Sequence, residues 1–217
     1  MTCILENGPK NADYQLIIAH GAGAGITFSF LEAIARLIGE QGIKVTRFEF
    51  AYMAAGREGG KKRFPPKAET LIGEYVDMID VVSKSKPNTQ KLVIGGKSLG
   101  GRVASLIADR EFRNGRIDGL VCLGYPFHAP GQPGRLRTAH LENLTCPALI
   151  VQGTRDPFGS QAEIETMKIP PEIAFYWIGD GDHDFRPRST SGFTQTGNLE
   201  AAAVAVASFL KARQEQS

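Results

Sequence analysis

The chain has 217 residues, 42% of them hydrophobic and 22% charged, and a formal net charge of +2. That profile is one of a soluble globular protein with a sizeable core, expected as a single domain over residues 1–217. Near-neutrality, without a concentrated basic face, argues against a nucleic-acid partner.

The amino-terminal stretch MTCILENGPKNADY lacks the basic and apolar regions of a secretory signal. No stretch approaches the roughly 18 uninterrupted apolar residues of a membrane span, so a cytoplasmic chain with no membrane partner is expected. YQLIIAH (14–20) is the first predicted strand and leads into HGAGAG (20–25). Phe30, Leu31, Ile34, Leu37 and Ile38 mark a helix with Thr27 as its expected N-cap. IKVTRFEF (43–50) is the next strand, followed by a long connection, 51–66, that carries the basic run REGGKKRF (57–64). Ala68, Leu71, Ile72, Tyr75, Val76, Ile79 and Val82 recur at offsets 0, 3, 4, 7, 8, 11 and 14, the apolar stripe of a helix lying on a sheet.

QKLVIGG (90–96) then predicts a strand, and Val103, Leu106 and Ile107 the helix behind it. DGLVCLG (118–124) and PALIVQG (147–153) are further strands, separated by a second long connection, 125–145. A short helix over roughly 160–168, a strand IAFYWIG (173–179) and a terminal helix NLEAAAVAVASFLKARQ complete the pattern. The strand runs lack period-two polarity, which predicts burial on both faces; alternation with helices predicts a parallel, doubly wound sheet. Both long connections follow strands and should overhang the carboxyl edge, where open α/β sheets place their ligands. Cys3, Cys122 and Cys146 are odd in number and irregularly spaced, which argues for idle or buried thiols over a disulfide framework or a metal site.

The segment LVIGGKSLGG (92–101) admits two readings. A P-loop requires glycine where Lys91 stands, and the strand runs up to the glycines, leaving no residues to wrap a phosphate. The alternative is G-x-S-x-G, in which Gly96 and Gly100 flank Ser98 on a sharp strand-to-helix turn. A serine hydroxyl becomes an effective nucleophile when an imidazole takes its proton and a carboxylate orients that imidazole. Asp156 in QGTRDPFG and His183 in GDGDHDF follow in the order Ser, Asp, His, each just past a predicted strand. The amides of Leu99, after the serine, and Ala22, in HGAGAG, are the expected oxyanion donors.

With HGAGAG, GKSLGG, QGTRDPFG and GDHDF in this order, the chain resembles the α/β-hydrolase family over roughly residues 14–210. It is most similar to small dienelactone-hydrolase-like members, and within these to a branch containing a testis-expressed protein and a subunit of the non-specific-lethal chromatin complex. The resemblance implies an α/β-hydrolase fold, a mostly parallel doubly wound sheet of about six or seven strands flanked by helices without a cap domain. It implies Ser98 as nucleophile, Asp156 as acid, His183 as base, and Ala22 and Leu99 as oxyanion donors. It further implies cleavage of an ester, thioester or related acyl bond in a small-molecule substrate, without a cofactor or metal. A binding or scaffold module that keeps the fold without turnover is the competing class.

Lys97, beside the serine, is expected to reach solvent, with a role in easing nearby negative charge as the alternative. Lys97, Phe127, His128 and Arg63 are the candidate substrate contacts, Arg63 through recruitment of an anionic substrate by the basic run. His20 is expected to orient the oxyanion loop, and His140 to be a loop residue. Asp180, Asp182 and Asp184 read as solvated turn carboxylates, with Asp182 or Asp184 as alternatives for the acid.

Overall fold

The computed structural model describes residues 3–57 and 64–212. The predicted strands appear as β2 (Tyr14–Ala19), β3 (Lys44–Phe48), β4 (Lys91–Lys97), β5 (Gly119–Leu123), β6 (Ala148–Gly153) and β7 (Ile173–Ile178). They pair in parallel. A further strand, β1 (Ile4–Asn7), pairs antiparallel with β3 and completes a seven-stranded sheet of order β1-β3-β2-β4-β5-β6-β7. β1 is too short, and too mixed in polarity, to stand out from the sequence.

Helices α1 (Ser29–Glu40) and α6 (Gln195–Lys211) cover one face of the sheet, and α3 (Ile72–Ser85) and α4 (Leu99–Arg113) the other. Successive strand side chains point to opposite faces, so each apolar run divides between two cores. Leu16, Ile18, Val93, Val121, Leu149 and Val151 pack towards α1 and α6. Ile17, Leu92, Ile94, Cys122 and Ile150 pack towards α3 and α4. Two covered faces explain why the central strands show no polar alternation. β7 departs from this expectation: as the sheet edge it alternates between buried and exposed residues, and Tyr176 is 39% exposed.

Other local expectations need correction. α1 is capped by the backbone of Phe28, with no side-chain bond, so Thr27 is not its N-cap. The stripe beginning at Ala68 opens as a 3-10 turn, Ala68–Leu71, before α3. The connection after β3 contains α2 (Ala51–Arg57), and that after β5 a 3-10 turn, Ala139–Leu141. α5 (Gln161–Ile164) is shorter than expected, started by a capping box in which Ser160 and Glu163 satisfy each other's backbone amides. α6 begins earlier than expected because Thr194 accepts from Gly197 N–H.

β2 pairs with β3 on one side and β4 on the other, so the chain changes direction across the sheet between β2 and β4. The loops leaving these strands diverge there and open a crevice at the carboxyl edge. Arg47 fastens one wall of it: its buried guanidinium donates to Ile26 O at 2.6 Å and Asn7 Oδ1 at 3.0 Å, tying the end of the glycine-rich loop to the sheet.

His140, expected as a simple loop residue, is wedged against α4. Ser105 Oγ donates to Arg102 O at 2.7 Å and therefore accepts from His140 Nε2–H at 2.8 Å. Burial, reinforced by the Arg102 guanidinium, lowers its pKa from 6.5 to about 4. The unfolded chain takes up a proton here before the native chain does, so stability is lost as pH falls from 6.5 to about 4. The expected loss is about 1–2 kcal/mol after allowance for partial exposure. Urea unfolding of His140→Gln across this window should give a flatter profile; an unchanged slope would assign the acid sensitivity to other groups.

Candidate active site

β4 delivers the chain to Ser98 and α4 starts at the next residue, which forces a turn too sharp for ordinary dihedrals: Ser98 has φ 50° and ψ −112°. A non-glycine residue held there stores about 1–3 kcal/mol of strain. The flanking glycines make the turn possible. A Cβ on Gly96 would lie 2.5 Å from Gly100 C and 2.7 Å from Ala19 O, and one on Gly100 would lie 2.4 Å from Ala19 O. The G-x-S-x-G spacing is therefore a packing requirement at the crossing of β2, β4 and α4.

The turn lifts Ser98 Oγ to 2.9 Å from His183 Nε2, and His183 Nδ1 lies 2.8 Å from Asp156 Oδ2. His183 comes from the loop after β7 and Asp156 from the loop after β6. Asp156 is fully buried, and each of its oxygens is engaged: Oδ1 accepts from Phe158 N–H at 2.8 Å, and Oδ2 also accepts from Gln152 Nε2–H at 3.1 Å. Facing donors on both oxygens keep the carboxylate aimed at the imidazole and leave Nε2 as the acceptor for the serine proton.

Asp182 and Asp184, the alternative acids, do other work. Asp182 Oδ1 accepts from the amides of Asp184 and Arg186 and so shapes the histidine turn. Asp180 binds Arg155 and Arg188. The turn also holds Phe185 at φ 61°, a strained value for a bulky side chain, where Asn198 Nδ2 donates to Phe185 O at 2.9 Å and the ring meets Phe30 edge-on.

The glycine-rich loop after β2 lines a cavity of about 270 Å³ beside Ser98, together with Phe28, Leu31, Phe158, Lys97 and Asp184. His20 organises the loop, as expected. Its Nδ1–H donates to Gly21 O at 2.7 Å while Nε2 accepts from Phe50 N–H at 3.1 Å, and burial lowers its pKa, which keeps the ring neutral. Because the Gly21–Ala22 peptide is planar and trans, Ala22 N–H points away from His20. Tyr52 Oη–H donates to Ala22 O at 3.2 Å and holds the next peptide. Leu99 is the first residue of α4, so its N–H has no carbonyl partner within the helix.

The candidate substrate contacts fare differently. Arg63 lies outside the described residues. Phe127 is fully buried between Tyr125 and Phe175, and His128 is also buried, its Nδ1–H donating to Ala129 O at 2.9 Å; neither lines the cavity. The start of the connection after β5, residues 125–128, is buried beneath the Asp156 loop, where a Cβ on Gly159 would lie 2.8 Å from the Phe127 ring. The aromatic residue packed beside the base is Phe158, whose ring lies 4.2 Å from that of His183. Lys97 does line the cavity, but it is 5% exposed and does not reach solvent.

Gln152 and Phe158 were missed by sequence reasoning. Gln152 carried a usable signal, as a polar side chain inside the buried run ALIVQG. Besides Asp156, its amide group joins Tyr125 O, Gly159 O and Tyr125 N–H, which locks two loops to β6. Phe158 has no such signal, because its direction depends on the path of the loop.

The dienelactone hydrolase from Anabaena variabilis is similar in structure, with TM-score 0.72 and 18% identity over 97% of this chain and 91% of that one. An alpha-beta serine hydrolase homologue from Coxiella burnetii gives 0.69 and 17% identity, covering 96% and 90%. A Xanthomonas campestris member of the serine hydrolases, described as without a lid, gives 0.65 and 17%, covering 94% and 89%. These likenesses establish the shared fold. The family described as Alpha/beta hydrolase domain matches residues 12–211, nearly the whole chain, and the protein belongs to it.

Proposed function

We propose that the protein is a serine hydrolase that cleaves an ester, thioester or related acyl bond through an acyl-enzyme. The observation that carries this reading is the unbroken relay from Ser98 Oγ through His183 to buried Asp156, at 2.9 and 2.8 Å. His183 Nε2 takes the serine proton as Oγ attacks the substrate carbonyl. Ala22 and Leu99 N–H groups receive the developing oxyanion, aided by the positive end of α4. His183 then protonates the leaving group, and in the second half it takes a proton from the water that releases the acyl chain.

At about 270 Å³ the cavity falls just below the roughly 300–1,000 Å³ usual for ligand pockets. With Phe28, Leu31 and Phe158 along it, a short apolar acyl group in a small-molecule substrate is the best match. The names of the structural relatives, which include serine hydrolases and a dienelactone hydrolase, agree with this chemistry. We further propose, on the sequence resemblance, that the chain is a cytoplasmic single-domain enzyme of the branch that contains the testis-expressed protein and the chromatin-complex subunit. Among the described residues, no helix is long and apolar enough to cross a membrane.

A fluorophosphonate probe should label the native protein, with the adduct mapping by mass spectrometry to the peptide that contains Ser98. Absence of labelling would instead favour a binding module. Gly124→Ala tests the geometry. Gly124 has φ +64°, and an added Cβ would lie 3.0 Å from both His183 O and Lys97 Nζ. Displacing the histidine loop by a fraction of an ångström should lower kcat about 10²-fold; wild-type turnover would show that the loop adjusts freely.

A further inference from the structure

We propose that Lys97 is a positioning residue for His183, its buried ammonium binding the backbone carbonyl of the base and, with Asp184, setting the charge around it. The proposal rests on the serine-hydrolase reading above.

Lys97 ends β4 immediately before Ser98, and its side chain is 6% exposed. Nζ donates to His183 O at 2.6 Å, lies 3.4 Å from Asp184 Oδ1 and sits over the Phe30 ring at 5.2 Å. Gly124 leaves the room for this arrangement, since the position of its absent Cβ is 3.0 Å from Nζ and 3.3 Å from His183 Nδ1. One short link therefore joins the residue before the nucleophile to the backbone of the base, across three loops of the carboxyl edge.

Stability alone does not account for an ammonium here. Taking a cation out of water is unfavourable even when it is paired, and an apolar side chain of similar length would fill the space without that cost. Burial lowers the pKa of Lys97, opposed by Asp184, Asp156 and Asp182. The charge-assisted bond to His183 O is stronger than one from a neutral donor and restrains the loop that carries the imidazole. Among the described residues, the charged groups gathered at His183 and Lys97 include Asp156 from the loop after β6, Asp182 and Asp184 from the histidine turn, and Lys97 itself from β4. Lys97 is a cation buried beside these carboxylates, in ion-pair contact with Asp184.

The test compares wild type, Lys97→Met and Asp184→Asn by kcat and KM on a short-chain ester, and by the pH dependence of fluorophosphonate labelling. Lys97→Met should lower kcat about 10- to 100-fold with KM within about twofold, because the base is misplaced while a side chain of similar length keeps the cavity wall. Its acidic limb should move to higher pH, since loss of the cation favours the protonated, non-basic imidazole. Asp184→Asn should move that limb to lower pH, the opposite direction, which a purely structural role would not produce. Limbs unmoved in both variants, with kcat preserved in Lys97→Met, overturn the proposal. If Lys97→Met fails to fold by circular dichroism, the Asp184→Asn limb decides: movement to lower pH supports the proposal, and an unmoved limb overturns it. An unlabelled wild type would overturn the hydrolase reading and this proposal with it, an outcome distinct from a labelled wild type with unshifted variants.

Discussion

Ser98→Ala is expected to lower kcat by about 10⁶-fold and to abolish fluorophosphonate labelling, because the reaction loses the atom that forms the acyl-enzyme. Fold stability should stay within about 0.5 kcal/mol of wild type. Ser98 contributes no side-chain cap to α4, and its backbone φ of 50° is imposed by the crossing of β2, β4 and α4 whatever side chain stands there. Initial-rate measurements on ester substrates, with a thermal melt of the same preparation, check both halves. A variant with more than a few per cent of the wild-type rate would move the nucleophile elsewhere.

Asp156→Asn is expected to lower kcat by about 10⁴-fold while leaving the cavity intact. The carboxylate receives N–H groups on both sides, from Phe158 on Oδ1 and from His183 and Gln152 on Oδ2. An asparagine amide cannot accept on both. With its NH₂ towards the histidine, the ring must turn to the Nε2–H tautomer and can no longer take the serine proton. With its NH₂ towards Phe158, a buried backbone donor loses its acceptor. Steady-state kinetics separate the outcomes, since a tautomer fault falls on kcat with little change in KM. A near-wild-type rate would reopen Asp182 or Asp184 as the orienting acid, against their present contacts with the turn amides and Lys97.

Much of this arrangement is legible before any coordinates. The central strands are apolar on both faces because helices cover both faces, and the stripe from Ala68 to Val82 follows the turn of the helix that it forms apart from its 3-10 opening. GKSLGG states its own sterics, since Gly96 and Gly100 stand where backbone segments cross too closely for a side chain. β1 was not legible, because four residues of mixed polarity depend on β3 for their pairing. The place of Phe127 in a long connection suggests a substrate contact, yet the start of that connection turns inwards and Phe158 takes the position beside His183. Solvent was the expected destination of Lys97, a rule for lysines that ignores a carbonyl and a carboxylate brought from far along the chain.

By itself, the amino-acid sequence determined the alternation of strand and helix, the sharp turn that exposes Ser98, and the chain order of Ser98, Asp156 and His183. These follow from local periodicity and from steric demands between near neighbours. Tertiary structure alone decided which aromatic rings border the cavity, that Gln152 holds Asp156, and that the ammonium of Lys97 is buried against the backbone of His183. The physical reason is that a loop side chain takes its direction from the path of its loop, and that path is set by contacts between residues as distant as Lys97 and His183, 86 positions apart.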